Sequence, residues 1–290
     1  MNKETTSRGL LAQVREALQP LYDVREADAL AFRLFEHHFG WGRATVLADR
    51  PLPALPEAFL AGLQRLRSGE PLQYVLGYAD FDGLRFRTDG RALIPRPETE
   101  ELVAWVASDL ADRVAPKVLD VGTGTGAIAI ALARRLRQPE VFGLDVSPAA
   151  LALAQENAAA LHAEVSWWQK DILSLPSLPE VRPLDALVSN PPYVPAGEAA
   201  QMHTNVKDHE PALALFVPDD DALKFYLAIA RFGRSHLRTG GRLYFELHER
   251  FGREVAALLR AEGYGDVRLR EDGFGRTRMV RAVRIGTALV

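Results

Sequence analysis

Cysteine is absent from the chain, which excludes disulfides, thiolate metal sites and a cysteine nucleophile. An excess of basic charge is missing too. The 35 Lys and Arg face 38 Asp and Glu, and the net charge of -3 argues against bulk nucleic acid as the main partner. No apolar run approaches the roughly 18 residues that suggest a membrane span. The polar start, MNKETTSRG, lacks the apolar core and small-residue cleavage site of a secretion signal. Internal repeats and low-complexity tracts are also lacking. These absences leave as the expectation a cytoplasmic monomer with no metal site, no membrane association and no stable nucleic-acid partner.

What is present is enough for a sizeable core: 290 residues, 48% of them hydrophobic and 25% charged. That length favours one large domain with a smaller companion. From about Ser7 to Arg67 the apolar residues recur at helical spacing, as in Leu10, Leu11, Val14 and Leu18, then Leu30, Leu34 and Phe35. Breaks at Pro20 and FGWGR divide this stretch into several helices. Residues 1–75 hold nine basic and nine acidic side chains, so the bundle is evenly charged and not a basic arm. His37 and His38 are adjacent on a helix and do not share a face, so they are not read as ligands.

The period then changes to alternation, with Asp82-Gly83 as a hairpin turn signal. Next, Pro97 and the acidic residues after it suit the start of a helix running through Trp105. From residue 117, short apolar strands alternate with helices: KVLDVG, EVFGLDVS, EVSWWQKD, LDALVSN, GRLYFEL, DVRLRED and MVRAVRI. This order predicts an α/β fold, a mostly parallel sheet with helices on both faces, closed by a terminal antiparallel strand. The expected organisation is a helical domain over residues 1–70, a β-hairpin linker over 71–92 and a Rossmann-like domain over 93–290.

VLDVGTGTGAIAIALARRL reads as a buried strand, a glycine turn and a helix. Gly122, Gly124 and Gly126 let the backbone turn tightly and a ligand approach the helix N-terminus. Asp145 ends the next strand, 23 residues after Gly122, where a carboxylate can accept both hydroxyl protons of a ribose. Asp171, after the third strand, lies at the same sheet edge and can meet an adenine amino group, with Ile172 packing on the ring. One of Trp167 and Trp168 is expected to serve packing alone. A nicotinamide dinucleotide and S-adenosylmethionine both remain open at this point.

The fourth strand separates them. VSNPPYVP leaves the sheet at the ligand edge, and its two prolines restrict the backbone on both sides of each peptide. Asn190 offers a side-chain carbonyl, Pro191 a backbone carbonyl, and Tyr193, after Pro192, a flat face. Two acceptors and a platform suit a planar NH2 group, whose nitrogen can then be turned towards an electrophilic methyl. A hydride-transfer enzyme has no use for this device.

GTGTG, Asp145 and NPPY together resemble S-adenosylmethionine-dependent methyltransferases that modify planar exocyclic or amide nitrogens. EPLQYVLGYADFDGLRF, LIPRPETEELV, HEPALALF and EDGFGRTR narrow this: the chain resembles the release-factor glutamine methyltransferase family and its close relative acting on a large-subunit ribosomal protein. The resemblance implies a seven-stranded methyltransferase domain and methylation of the glutamine in the Gly-Gly-Gln loop of peptide chain release factors. Glutamine methylation of a ribosomal protein and amino-methylation of adenine or guanine in nucleic acid are the alternatives. It further implies that Gly122, Thr123, Gly124, Thr125, Gly126, Asp145, Ile172 and Asn190 meet S-adenosylmethionine, beside Asp171 from the sheet-edge reading. Asn190, Pro191, Pro192 and Tyr193 would hold the glutamine and carry catalysis, and the N-terminal domain would dock the release factor. Two positions depart from the family pattern: Ile172, where an aromatic residue can occur, and His248, where glycine is usual.

Two further segments are expected to matter. IPRPETE is either a salt-bridged helix start or a closing segment with Arg96 or Glu98 against the charged end of the cofactor. Residues 194–220 form a long loop at the catalytic edge, anchored near Glu210-Pro211, of the kind that makes a lid.

Overall fold

The computed structural model describes residues 6–286 except positions 176 and 182; the expected outer domain limits, 1 and 290, lie outside the described residues. The chain divides into two compact units. The first runs to Tyr78 and also takes in His203–His209, and the second holds Ala79–Met202 and the chain from Glu210 on.

The first unit is helical: α1 (Ser7–Leu18), α2 (Val24–Phe39), α3 (Arg43–Leu47), α4 (Glu57–Arg67) and α5 (Leu72–Leu76). Its starts and stops are chemical. The Thr6 hydroxyl accepts from the Gly9 N–H and the Asp23 carboxylate from the Glu26 N–H, each satisfying an orphan donor at a helix start. Gly40 ends α2 in the left-handed region, at φ +67°. The apolar stripe read from the sequence is the core: Leu10, Leu11, Val14, Leu18, Leu30, Leu34 and Phe35 are buried together. His38 packs edge-on against Phe59 and His37 beside Tyr78. Burial lowers the pKa of His38.

The second unit opens, from Ala79, in the hairpin of β1 (Tyr78–Phe81) and β2 (Leu84–Arg87). Its turn residues Asp82 and Gly83 both have positive φ, +53° and +72°, as a two-residue type I′ turn requires. Then follow α6 (Pro97–Asp109), β3 (Lys117–Val121), α7 (Ala127–Arg135), β4 (Glu140–Asp145), α8 (Pro148–Ala160), β5 (Ser166–Gln169) and β6 (Leu184–Ser189). The remaining elements are β7 (Val194–Pro195), α9 (Thr204–His209), which belongs to the first unit, α10 (Ala212–Leu215), β8 (Phe216–Val217), α11 (Lys224–His236), β9 (Leu237–Glu246), α12 (Gly252–Ala261), β10 (Tyr264–Glu271) and β11 (Thr277–Arg284).

Seven strands make one sheet in the order β10-β11-β9-β6-β3-β4-β5. β6, β3, β4, β5 and β9 pair in parallel, while β11 is antiparallel to both of its neighbours. This is the Rossmann-like methyltransferase fold. The terminal strand does not close the sheet at an edge, as the pattern suggests. A tight turn at Asp272–Gly275, held by hydrogen bonds between Asp272 and Arg276, folds β11 back so that it is inserted between β10 and β9. Among the described residues, no helix is long and apolar enough to cross a membrane.

The order reverses at β3, so the chain leaves β3 and β6 on either side of a crevice at their carboxyl ends. The buried clusters on the two faces of the sheet fix that edge. One gathers Leu119, Leu187, Tyr226 and Phe245, and the other Val118, Ile130, Val188 and Tyr244. Trp167 serves packing. It pairs across the strands with Gly143, and a β-carbon at Gly143 would stand 2.4 Å from the Trp167 ring. Gly143→Ala is therefore expected to cost about 1 to 3 kcal/mol through overpacking. A lower denaturant midpoint at unchanged slope is the expected readout, and an unshifted midpoint would contradict the packing role.

Candidate active site

The crevice is an open cleft walled by the carboxyl ends of β3, β4 and β6. Its glycine side is built by the turn after β3. Gly122, Gly124 and Gly126 all adopt positive φ, at +72°, +54° and +81°. The N–H groups of Gly122 and Thr123 both donate to the Leu144 carbonyl, at 2.8 and 3.0 Å, which pins the turn to the end of β4. Nothing lies within 4 Å of where a β-carbon of Gly122 would stand, so the missing side chain leaves room on the cleft wall.

The predicted residues do different things. Gly122 and Gly124 line the cleft. Gly126 caps α7, and a β-carbon there would be crowded by Ile130, Ala154 and Trp167. Thr123 turns its hydroxyl inward to Asp120, at 2.6 Å, and the Thr125 carbonyl accepts from the Asn157 amide. Asp145 lines the cleft at the end of β4; one carboxylate oxygen accepts from the Gly124 N–H and the other from the Ser147 N–H, both at 2.9 Å. Burial raises its pKa, opposed by these N–H groups. A carboxylate has about four acceptor positions, so each oxygen keeps capacity for a ligand. Asp171 and Ile172 line the same wall; one Asp171 oxygen caps the Leu173 N–H, and Ile172 joins the apolar core behind it.

Asp120 was not singled out by pattern. It is fully buried at the end of β3, and loss of solvation pushes its carboxyl up to about 7, with the Asp145 charge adding to the rise. Between the ordinary value of 3.8 and about 7, the folded state keeps a proton that the unfolded chain has released. Its contribution to stability therefore falls as pH rises through that window, by an amount of order a few kcal/mol. Asp120→Asn is expected to remove this fall. Urea unfolding of both proteins at pH 5 and pH 8 tests it, and equal pH dependence would contradict it.

On the opposite side, Asn190, Pro191 and Pro192 line the cleft at the exit of β6. The Ser189 hydroxyl donates to the Val121 carbonyl at 2.6 Å, tying β6 to β3 where the turn begins. The Asn190 amide nitrogen donates to the Thr99 hydroxyl at 3.3 Å, and Thr99 donates to Glu246 at 2.5 Å. Tyr193 packs at the edge of the core and donates its hydroxyl to the other oxygen of Glu246 at 3.2 Å. Burial pushes the Tyr193 phenol well above its ordinary range, and the Glu246 charge adds to the rise. His248 stands edge-on to Tyr193, with its Nε2 3.2 Å from Glu198.

Thr99 and Glu246 thus belong to the site although the pattern reading missed both. A signal existed for Glu246, a lone acid in the apolar run LYFEL at a strand's carboxyl end. Thr99 carried none, lying between the more conspicuous Arg96, Glu98 and Glu100. The expectation for IPRPETE is corrected in detail. Neither Arg96 nor Glu98 lines the cleft; Arg91, Ala92 and Leu93 do. Arg96 is instead paired with the buried Glu210 at 2.6 Å, and Glu210 also accepts from the Ile94 N–H at 3.0 Å. Arg96 therefore has its partner across the chain, and Glu210 is the anchor expected near Pro211. Nor is 194–220 an unstructured loop. It carries β7, α9, α10 and β8, and its middle, residues 203–209, belongs to the helical unit.

A Rossmann-like sheet with a glycine turn, an acid at the end of the next strand and Asn-Pro-Pro-Tyr after the fourth defines a methyltransferase. Comparison with known proteins carries this further. A family model described as a methyltransferase domain matches residues 118–209, and one described as a PrmC N-terminal domain matches residues 9–77. The release factor glutamine methyltransferase of Bacteroides thetaiotaomicron is 40% identical over 95% of this chain and 99% of its own. That of Chlorobaculum tepidum is 41% identical over 82% of this chain and 84% of its own. A methyltransferase of known structure from Pyrococcus furiosus, 16% identical, shares the fold at a TM-score of 0.50 over 70% of this chain and 90% of its own. The chain belongs to the release factor glutamine methyltransferase family.

Proposed function

We propose that this protein transfers the methyl group of S-adenosylmethionine to the side-chain amide nitrogen of the glutamine in the Gly-Gly-Gln loop of peptide chain release factors. The cleft fits the cofactor: the space at Gly122 admits a close ligand, Asp145 keeps acceptor capacity for the ribose hydroxyls, and Asp171 with Ile172 offers a polar and an apolar contact to the adenine. When bound, the cofactor supplies an electrophilic methyl on a positively charged sulfur.

The observation that carries the reading is the orientation of Asn190. Its amide nitrogen is engaged by Thr99, which leaves the side-chain oxygen as an acceptor, and Asn190 and Pro191 both line the cleft. An amide nitrogen is a poor nucleophile because its lone pair is delocalised. Two acceptors that hold its hydrogens can turn that lone pair towards the methyl, and positioning of this kind supplies roughly 7 to 11 kcal/mol of a barrier. In the displacement at the methyl carbon, Asn190 and Pro191 would hold the amide hydrogens and the nitrogen would release its proton to water, so the loop needs no base of its own. Two rigid prolines keep the acceptors in place during this displacement.

The test offers labelled S-adenosylmethionine with release factor, large-subunit ribosomal proteins and duplex DNA in parallel. Label is expected on the release factor. Label confined to DNA or to a ribosomal protein would overturn the choice of substrate.

A further inference from the structure

We propose that Thr99 and Glu246 are positioning residues that fix which way the Asn190 side-chain amide faces, and so which of its two ends meets the substrate; this rests on the amide-methylation reading above. An Asn side chain presents a carbonyl on one side and an NH2 on the other, and the two ends are nearly equal in shape. Only the carbonyl end can hold the hydrogens of a substrate amide. Something must therefore choose between the two orientations, and the chain of hydrogen bonds behind Asn190 does so by its polarity.

The polarity starts at Glu246. It is buried at the end of β9, and both of its oxygens accept from neutral hydroxyls, Thr99 at 2.5 Å and Tyr193 at 3.2 Å. The Tyr226 hydroxyl holds the backbone carbonyl of the same residue at 3.1 Å. An ionised carboxylate accepts and does not donate, and a threonine hydroxyl has a single proton. With that proton given to Glu246, Thr99 can only accept from Asn190. The group facing it at 3.3 Å is accordingly the NH2, and the Asn190 oxygen is turned the other way. A flipped Asn190 would set two oxygens against each other with no proton between them. The same carboxylate holds Tyr193, so one buried charge orients both polar side chains of the Asn-Pro-Pro-Tyr loop.

A buried charge hydrogen-bonded by two neutral hydroxyls is a poor device for stability, since removing an ion from water is costly. Its place behind Asn190 gives it a purpose. The arrangement also has a pH signature. Burial raises the Glu246 pKa, Glu98 on α6 adds to the rise, and the Thr99 and Tyr193 hydroxyls with Arg278 on β11 oppose it. Once protonated, Glu246 can donate to Thr99, which is then free to donate to Asn190 and to admit the wrong orientation. Turnover at saturating cofactor should therefore fall as pH drops through the raised Glu246 value, read as kcat so that protonation of Asp145, whose pKa is raised too, does not enter through cofactor binding.

The experiment compares Thr99→Val, Thr99→Ser and Glu246→Gln in the full chain. It measures kcat and KM for release factor, calorimetric cofactor affinity and kcat against pH. Thr99→Val is expected to lower kcat at least about twofold, the loss when the two orientations become equally populated, and Glu246→Gln, which lets Thr99 donate and so favours the wrong one, by about tenfold for each 1.4 kcal/mol of reversed preference. Cofactor affinity should stay within a small factor, and Thr99→Ser, which keeps the hydroxyl, should restore most of the rate. Glu246→Gln should also lose the acid limb of the profile. If Glu246→Gln does not fold, the Val and Ser pair decides. Equal kcat in Thr99→Val and wild type would overturn the proposal while leaving the methyltransferase reading intact. A wild type that binds cofactor but does not methylate release factor would instead overturn the substrate reading, and this proposal with it.

Discussion

Asn190→Ala is expected to abolish turnover on release factor while leaving S-adenosylmethionine affinity within a small factor. The side chain sits on the cleft wall with its nitrogen turned to Thr99, so what the alanine removes is the acceptor for the substrate amide. The Asp145 and Gly122 side of the cleft is untouched. Losing one pre-placed hydrogen-bond partner of a reacting group costs about 10²- to 10³-fold in kcat in other enzymes. A comparable or larger loss is expected here because the positioned nitrogen has no other source of nucleophilicity. Single-turnover rates at saturating cofactor, paired with calorimetry, separate the effects. A variant with unchanged turnover would remove the amide-positioning argument.

Asp145→Ala should act in the opposite sense and weaken cofactor binding by about 1.5 to 3 kcal/mol, the range for hydrogen bonds to a charged group. That corresponds to roughly a ten- to hundredfold rise in Kd. Part of the loss comes from the protein itself, because Asp145 also accepts from the Gly124 and Ser147 N–H groups and so braces the glycine turn. Asp145→Asn keeps an acceptor and should fall between alanine and wild type. Calorimetry showing wild-type affinity in the alanine variant would refute the ribose role.

How much of this was legible depended on distance along the chain. The Asp82-Gly83 turn, the seven strands and the glycine turn are local patterns, and each stands where its spacing indicates. The insertion of β11 between β10 and β9 was not legible, because either pairing satisfies the same alternation. The Thr99–Glu246 bond joins residues 147 positions apart, and the Arg96–Glu210 pair joins residues 114 apart. No periodicity reports a partner at that range. Sequence reading left the charges of IPRPETE either in a salt-bridged helix start or against the cofactor, where the fold pairs Arg96 with the distant Glu210 and lets the uncharged Thr99 meet Asn190. Likewise, residues 203–209 read as loop because their helix is short, and only the folded chain assigns them to the helical unit.

The most direct test of the central claim follows labelled methyl from S-adenosylmethionine onto purified release factor, beside a variant whose Gly-Gly-Gln loop carries Gln→Ala. Label on the native factor that disappears in the variant is the predicted result, establishing acceptor and reaction together. Equal label on both factors would contradict it.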